Sequence, residues 1–543
     1  MLQFVIIVVY NLGMYKFNKN IINKINENKY VKKTRKGVGS LIFSRAGLFA
    51  VLILVQIALM VYLYYFVNID LTYLLGGDAI SKFFIMLIIL NMKNVSNANK
   101  LSWFLLIAIF PTFGIIAFIM SHFSIGYRRE QRKVLRLNDE SRAYTKADQE
   151  LYRSIEDRGK RFYPIAKYLD DVGGFPSYKN TSSTYYKVGD DMFDAMLFDV
   201  RNAKDFIFME FFIIDYGYMW GTLLEELVRK VKEGVQVRLL IDGSNLITRV
   251  RGNFTREMES LGIRCRAFSK MYPIVSTYQN NRDHRKVMVI DGKFAYTGGI
   301  NLSDEYINVY ERFGHWKDCG ARLEGSAVKS FTIMFLNMWN SMDESAEDYT
   351  TYLKTYPIVN STGTYIPFAD NPLDNETISK NVLVDLINKS KSYLYLMSPY
   401  LIIDEEIRNS IKLAAKSGID VRICLPHIPD KKIASALAKD HYRELLGAGV
   451  RIFEYTPGFV HSKTWLADGK IGFVGTVNLD YRALYQNFEC GVLMYKTNSL
   501  EEIKNDFDIF FDIATEINIE DVNMIKLRYR ILANIAKPFA VLM

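Results

Sequence analysis

The chain has 543 residues and a hydrophobic content of 50%. This length is enough for about three or four units with buried cores, and the composition excludes a disordered or fibrous chain. The net charge of +9 suits an anionic partner, either nucleic acid or an acidic membrane surface. The cysteines are far apart and form no paired motif, which predicts buried free thiols rather than a disulfide scaffold or a zinc site. They are Cys265, Cys319, Cys424 and Cys490.

Two apolar runs near the N-terminus predict a membrane hairpin. Residues 48–67 and 101–120 are each long enough to cross about 30 Å of hydrocarbon as a helix. Basic residues cluster before the first run and after the second, so the positive-inside rule places both flanks in the cytoplasm. We therefore expect a basic cytoplasmic segment at 1–45, a hairpin at 46–125 and two membrane spans, with everything after the hairpin on the cytoplasmic side.

The rest of the chain contains an internal repeat. The clearest match is HRKVMVIDGKFAYTGGIN at 284–301 with HSKTWLADGKIGFVGTVN at 461–478. Strand–helix–strand alternation in each half predicts an α/β fold with two repeated sandwich domains, at 140–350 and 356–543.

Each half carries the pattern H-x-K-x4-D, followed by G-x-x-N. Residues i and i+2 of a strand point to one face, so each histidine shares a face with its lysine. The histidines, lysines and asparagines of the pattern are His284, Lys286 and Asn301 in the first half and His461, Lys463 and Asn478 in the second.

An Asp-Gly pair after each strand is typical of a hairpin turn. With two-residue turns, counting back places Gly299 opposite His284 and Thr476 opposite His461. The asparagine of each half then falls beside its histidine. Gly299 and Thr476 are small and leave room for a substrate, so both are candidate support residues.

Four carboxylates are matched across the repeat. Asp291 and Asp468 complete the motif and are candidate catalytic residues, although their position at the turn favours a turn and packing role. Asp318 and Glu489 are the candidates for orienting the histidines, because a catalytic imidazole needs an acceptor on its second nitrogen. The alternative for each of these two is an ordinary exposed acid.

Two facing sets of these residues would form a cationic site with two imidazoles, which suits a double displacement at a phosphodiester. One histidine attacks phosphorus, and the other protonates the leaving alkoxide and then deprotonates the incoming hydroxyl. The lysines and asparagines would stabilise charge on the nonbridging oxygens. The sequence contains no cluster with metal-ligand spacing, so we expect no metal and no cofactor.

The paired motifs resemble the phospholipase D superfamily. The N-terminal hairpin, with NKLSWFLLIAIFPTFG at 99–114, and the motif segments at 284–306 and 457–492 resemble the bacterial cardiolipin synthases within it. The likeness covers about residues 98–492. One departure is Ala483, where that family usually carries serine, so one hydroxyl donor near the second motif is missing.

The resemblance implies two phospholipase D-like domains with a shared interfacial active site in a bacterial cell-membrane protein. It implies that one phosphatidylglycerol donates its phosphatidyl group to the enzyme with release of glycerol, and that a second accepts the group to form cardiolipin. The histidine of the N-terminal half is commonly the nucleophile in relatives, which assigns that role to His284 and the acid/base role to His461. The expected partners are this anionic phospholipid and the membrane, with no nucleic acid.

Three other functions stay open. A hydrolytic phospholipase D would use water in place of the second lipid hydroxyl. A membrane-tethered nuclease of the same superfamily would explain the positive charge, although the basic residues concentrate around the apolar runs rather than along an aromatic-interleaved face. A binding module with an inactive site is disfavoured because both halves keep the histidine, lysine and asparagine.

Overall fold

The fold is seen in a computed structural model, which places the two halves of the repeat on two large mixed β-sheets. The residues that it describes are 58, 62, 79–92, 97–110, 114–115, 118–119, 127–270, 281–343, 347–354, 359, 361–374 and 376–542.

The first half of the repeat supplies eight strands, seven of which form one sheet. The strands are β1 (Thr181–Tyr186), β2 (Phe206–Phe211), β3 (Gln236–Asp242), β4 (Arg264–Phe268), β5 (Lys286–Ile290), β6 (Phe294–Gly298), β7 (His315–Lys317) and β8 (Gly320–Gly325). The sheet order is β1-β8-β6-β5-β2-β3-β4. The pairs β2–β3 and β3–β4 are parallel, whereas β5 runs antiparallel to both of its neighbours.

The helices up to this point include several that pack on the first sheet. They are α1 (Ala79–Asn91), α2 (Asn97–Ile109), α3 (Tyr127–Ser141), α4 (Gln149–Arg158), α5 (Tyr163–Asp171), α6 (Gly189–Asn202), α7 (Tyr218–Lys232), α8 (Asn245–Thr248), α9 (Phe254–Ser260) and α10 (Val328–Ser341). In α7 the residues Met219, Leu223 and Leu227 are buried at helical spacing, so one stripe of the helix faces the sheet.

The second half repeats this arrangement, and eight of its eleven described strands form one large sheet. Its strands are β9 (Thr364–Asp370), β10 (Tyr393–Met397), β11 (Leu401–Ile402), β12 (Asp420–Pro426), β13 (Arg451–Tyr455), β14 (Gly458–Val460), β15 (Thr464–Ala467), β16 (Ile471–Gly475), β17 (Leu479–Asp480), β18 (Glu489–Tyr495) and β19 (Thr515–Ile517). The sheet order is β19-β13-β12-β10-β15-β16-β18-β9. Its helices are α11 (Ile378–Lys389), α12 (Glu405–Lys416), α13 (Lys432–Gly447), α14 (Tyr481–Tyr485), α15 (Ser499–Ile513), α16 (Ile519–Asn523) and α17 (Leu527–Ala536).

The two sheets share a buried core. Alternate residues of a strand point to opposite faces, and in β2 the residues Phe206 and Phe208 belong to the shared cluster, whereas Ile207 and Met209 belong to a separate first-half cluster. The shared cluster also takes inward-facing residues of the second sheet together with α10 and α15. The prediction of two repeated α/β halves is therefore confirmed, and the halves are joined by a common apolar interface.

Helices α4 and α5, which precede β1, pack on the second half. Phe162, between α4 and α5, stacks on Tyr495 of β18 with ring centroids 4.3 Å apart. Leu151 and Ile155 of α4 lie in the same cluster as Ile366 of β9. The chain thus contacts the second half before it enters the first sheet.

The predicted two-span hairpin and cell-membrane location are contradicted by the structure. Helices α1 and α2 have 13 residues each, or about 20 Å, against the roughly 30 Å of hydrocarbon that a span must cross. Among the described residues, no helix combines the length and the apolar character that crossing a membrane requires. The predicted segment 1–45 and nearly all of the run 48–67 lie outside the described residues.

Candidate active site

Each motif histidine lies just before a central strand, and its backbone is held by the other half. The N–H of His284 donates to the carbonyl of Phe488 at 2.9 Å, and the N–H of His461 donates to the carbonyl of Lys317 at 2.7 Å. Strand β14, which ends directly before His461, pairs in parallel with β7 of the first half. The pseudo-symmetric halves therefore hold both histidine segments by the same crossed backbone contacts.

The side chains are crossed in the same way. His284 Nδ1 lies 2.9 Å from Glu489 Oε2, and His461 Nδ1 lies 2.8 Å from Asp318 Oδ2. All four residues are buried. A carboxylate accepts the Nδ1 hydrogen, so Nε2 of each ring keeps its lone pair for chemistry. For each of the two motif histidines the carboxylate comes from the other half, so the site forms only where the halves meet.

The two motif lysines lie beside the histidines. Lys286 Nζ donates to the carbonyl of His284 at 2.6 Å, and Lys463 Nζ donates to the carbonyl of His461. Burial lowers the pKa of Lys286 to about 8 and that of Lys463 to about 7. Within the described part of the chain, no group of three or more His, Cys, Asp or Glu side chains is placed to hold a metal ion.

Both histidines are neutral in this environment. Burial first, and then the charges of Lys286 and Lys463, hold the pKa of His284 well below its usual range. Burial and Lys463 lower the pKa of His461 to about 3, while the charge of Asp318 acts in the opposite direction. A bound phosphodiester would add negative charge and raise the proton affinity of both rings.

The two orienting carboxylates differ in charge state. Burial acts to raise the pKa of Asp318, but His461 and Lys463 outweigh it, so this pKa is lowered. Burial raises the pKa of Glu489 to about 7, although Lys286 and hydrogen bonds from Thr476 and Asn487 oppose the shift. The carboxylate beside His461 is therefore ionised at neutral pH, whereas the one beside His284 titrates there.

The two motif asparagines have different surroundings. Asn301 accepts a hydrogen bond from the Ile213 N–H at 2.9 Å and donates to the Tyr306 hydroxyl at 2.8 Å. The Tyr306 ring meets the His461 ring edge to face, with centroids 5.2 Å apart. The buried Oδ1 of Asn478 has no hydrogen-bond partner among the described residues. Asn478 thus offers the site a polar atom that the protein itself leaves unused.

The hairpins are longer than predicted, which shifts the expected pairing. Ile290 pairs with Phe294, and Ala467 pairs with Ile471, so three residues rather than two connect the strands. The extra residue moves Gly299 out of the predicted position opposite His284. Thr476 is likewise not opposite His461.

The positions of Gly299 and Thr476 explain their small size. A Cβ on Gly299 would lie 2.0 Å from Asp318 Oδ1 and 2.8 Å from the carbonyl of His461. A larger residue would therefore displace the carboxylate that orients His461. Thr476 donates its hydroxyl hydrogen to Glu489 Oε2, the oxygen that contacts His284.

The motif aspartates lie at the opposite ends of the strands from the histidines. Asp291 accepts from the N–H groups of residues 204–206, and Asp468 accepts from those of residues 391–393. Both have positive φ, 55° and 53°, which aspartate tolerates better than most residues. The structure brings neither into contact with the histidines and places both at the turns, the role that the sequence favours for them.

Sequence reasoning missed several aromatic residues of the site. The Phe212 ring lies 4.8 Å from the His284 ring, and the Trp316 ring lies 5.4 Å from the His461 ring. Tyr306 belongs to the GGINLSDEY run that carried the resemblance, so that run contained the signal. The aromatic rings shield the two imidazoles from water and so strengthen their electrostatic interactions.

Comparisons with known proteins agree with this geometry. Residues 199–312 and 383–510 match the family model for the cardiolipin synthase, phospholipase D-like domain. The chain is 43% identical to an uncharacterized protein of Streptococcus mutans over 415 residues, which cover 76% of this chain and 90% of that protein. It is 30% identical to cardiolipin synthase 2 of Bacillus anthracis over 446 residues, which cover 81% of this chain and 86% of that enzyme.

The fold is shared with a solved structure. Phosphatidylserine synthase of Haemophilus influenzae superposes with a TM-score of 0.55 at 15% identity, covering 71% of this chain and all of that one. At this identity the likeness concerns the fold alone. The two matched repeats and the relative at 30% identity show that the chain belongs to the cardiolipin synthase family of the phospholipase D superfamily and is a phosphatidyltransferase of that superfamily.

Proposed function

We propose that this enzyme makes cardiolipin from two molecules of phosphatidylglycerol and releases glycerol. The observation that carries the proposal is the crossed pair of histidine–carboxylate contacts, 2.9 and 2.8 Å long, with one buried lysine beside each ring. Two imidazoles whose Nε2 atoms are both available suit two successive displacements at one phosphorus. The relatives named cardiolipin synthase support the choice of lipid.

In the first displacement, Nε2 of His284 attacks the phosphorus of one phosphatidylglycerol. The N–P bond forms as the P–O bond to the head-group glycerol breaks. His461, protonated when the anionic substrate is bound, gives its proton to the leaving oxygen, and glycerol departs. The covalent product is a phosphatidyl-histidine.

In the second displacement, a head-group hydroxyl of another phosphatidylglycerol gives its proton to His461. Its oxygen attacks the phosphorus, the N–P bond to His284 breaks, and cardiolipin leaves. The enzyme returns to its starting protonation state.

The electrostatics support these roles. The ionised carboxylate of Asp318 increases the proton affinity of His461, which an acid/base residue requires. The charges that act most strongly on His284 are positive and keep its ring neutral, which a nucleophile requires. We assign the ammonium groups of Lys286 and Lys463 and the amide N–H of Asn478 to the nonbridging phosphate oxygens, because charged and polar donors stabilise the charge that develops there.

The direct test is product analysis with purified enzyme and phosphatidylglycerol dispersed in detergent, with no metal or nucleotide added. We expect equal amounts of cardiolipin and free glycerol from wild type and from His441→Asn, a histidine on α13 that serves as the matched control. His284→Asn and His461→Asn should form neither product. Phosphatidic acid without cardiolipin would instead make the protein a hydrolase, and cleavage of DNA with no lipid turnover would make it a nuclease.

A further inference from the structure

A third histidine–carboxylate pair lies outside the catalytic set. His427 Nδ1 is 2.9 Å from Oε2 of Glu454, whose other oxygen accepts from the Tyr442 hydroxyl at 3.0 Å. The Glu454 side chain is 3% exposed, whereas that of His427 is 53% exposed. One nitrogen of the ring is thus anchored to a buried carboxylate while much of the ring remains accessible.

This pair lies near the strand that leads to His461. His427 directly follows β12, and the N–H of the next residue, Ile428, donates to the carbonyl of Gly458 at 3.3 Å. Gly458 begins β14, which ends just before His461. In the sheet, β12 is two strands away from β15, or about 10 Å. The pair therefore lies at the rim of the active site, on the side of the acid/base histidine.

A lysine on the same loop adds positive charge to this rim. The Nζ of Lys431 lies 4.7 Å from the centre of the Tyr400 ring, and the Tyr400 hydroxyl donates to Asp430 at 2.7 Å. Lys431 is exposed. Its charge is among those that lower the pKa of His284, so its field reaches the catalytic site.

His427 and Glu454 are not part of the internal repeat. The positions in the first half that match His427 and Glu454 are Gly243 and Ala267. The histidine–carboxylate pair is therefore a feature of the second half alone, which is the half that supplies His461. Under the proposed mechanism the accepting hydroxyl approaches His461, and this rim lies on the side of the site that holds His461.

We propose that His427 and Lys431 bind the phosphodiester of the accepting phosphatidylglycerol, an inference that rests on the proposed function. In that acceptor, one glycerol unit separates the reacting hydroxyl from the phosphodiester. The His427 ring is held by Glu454 through Nδ1 and presents Nε2 to a phosphate oxygen, and Lys431 adds a second charge-assisted hydrogen bond. Free glycerol and water have no such anion, so this subsite favours transfer to lipid over the reverse reaction and over hydrolysis.

The test compares two water-soluble acceptors on one labelled phosphatidylglycerol donor: glycerol 3-phosphate, which carries the phosphate, and glycerol, which does not. We expect wild type to prefer glycerol 3-phosphate. The double variant His427→Gln/Lys431→Gln should lower the ratio of the two transfer rates about 10-fold or more, because it removes two charge-assisted contacts. Lys431→Arg in the wild-type background should retain the preference. Lys470→Gln, which removes one lysine charge at the far end of the sheet as Lys431→Gln does at the rim, is the matched control.

Inorganic phosphate distinguishes a simple anion site from recognition of the whole acceptor. We expect it to compete with glycerol 3-phosphate more strongly in wild type than in the double variant. An unchanged acceptor ratio, or equal losses with both acceptors, would overturn the subsite. If wild type forms cardiolipin and such a result appears, the subsite alone has failed; if wild type forms no cardiolipin and uses neither acceptor, the proposed function has failed and the subsite with it.

Discussion

The two motif histidines precede strands with the same sequence motif, but different side chains are buried around them. Around His284 the first half buries Glu210, Asp283 and Arg285, with Arg285 Nη1 3.7 Å from Glu210 Oε1. At the positions that match these three, the second half has Met397, Val460 and Ser462, all buried.

The buried charges of the first half are incompletely paired. Neither oxygen of Glu210 has a hydrogen-bond partner among the described residues. Burial raises the pKa of Glu210 and raises that of Asp283 to about 6, with Arg285 opposing both shifts. Such a cluster is costly to bury, whereas the second half reaches the same histidine geometry with uncharged side chains at these three positions. The crossed contacts are thus common to both halves, whereas the side chains buried next to each histidine segment differ between the halves.

The largest expected effects on kcat/KM come from substituting the two histidines, and the proposed roles predict different losses for each. His284→Asn should lower kcat/KM by about 10⁴-fold or more, because the nucleophile is lost. His461→Asn should cost about 10²- to 10⁴-fold with phosphatidylglycerol, but much less with a phosphatidyl ester of p-nitrophenol, whose leaving group needs no proton. Stopped-flow release of p-nitrophenol measures the difference. Equal losses with both substrates in both variants would remove the assignment of roles.

Removing the orienting carboxylates comes next. Asp318→Asn and Glu489→Gln should each reduce kcat by about 10- to 100-fold, because an amide can donate as well as accept and no longer fixes the tautomer of the imidazole. Unchanged circular dichroism and thermal stability would serve as the folding control. Wild-type kcat in either variant would show that the corresponding contact does not orient its histidine.

The pH dependence of kcat/KM should reflect the different charge states of the groups beside the two histidines. Glu489, with its pKa raised to about 7, ionises only as the pH rises through that value, so activity should fall on the acid side. Lys463 and Lys286, with pKa values of about 7 and 8, lose their charges as the pH rises further, so activity should also fall on the alkaline side. We expect a narrow bell in kcat/KM. Glu489→Gln should flatten the acid limb, and an unaltered limb would assign it to another group.

Substitutions in the buried cluster of Glu210, Asp283 and Arg285 should have a smaller effect, on stability rather than on catalysis. Arg285→Ser alone should lower the free energy of unfolding by about 3–5 kcal/mol, because it leaves buried carboxylates without their cation. The triple variant Glu210→Met/Asp283→Val/Arg285→Ser copies the second half and should be neutral or more stable by about 1–4 kcal/mol. Urea denaturation measures both. A triple variant less stable than the single one would mean that the first half requires its charges.

The smallest expected effect on catalysis is at the turns, where the two halves are alike. Asp291→Ala and Asp468→Ala should each destabilise the fold by about 1–3 kcal/mol, because backbone N–H groups lose their acceptor. The value of kcat should stay within about twofold when the protein is fully folded, since neither carboxylate contacts a histidine. A large loss of kcat in the folded variant would return these residues to the catalytic set.

The repeat and the chemistry of the site were readable from the sequence because they depend on local patterns. Alternation placed each histidine and lysine together, and the matched carboxylates Asp318 and Glu489 proved to be the histidine partners. Which carboxylate meets which histidine depends on how the halves pack, and no local pattern encodes that crossing. The same limit applies to Tyr306 and Trp316, which reach His461 through the packing of the two halves.

The errors also have physical causes. An Asp-Gly pair is compatible with both two-residue and longer hairpin turns. The pairing expected for Gly299 and Thr476 from a two-residue turn therefore differs by one residue from the observed pairing. The apolar run 101–120 satisfies the length criterion for a span, yet α2 ends at Ile109 after 13 residues. Nearly all of the run 48–67 lies outside the described residues. Hydropathy reports the character of the side chains, and it does not report where a helix ends.

The most direct test of the central claim is to trap the covalent intermediate. Enzyme mixed with phosphatidylglycerol, quenched rapidly under conditions that preserve phosphohistidine, digested and analysed by mass spectrometry should carry a phosphatidyl group on the peptide containing His284. The adduct should be absent from His284→Asn. Cardiolipin formation with no adduct on either histidine, or with an adduct confined to His461, would contradict the account.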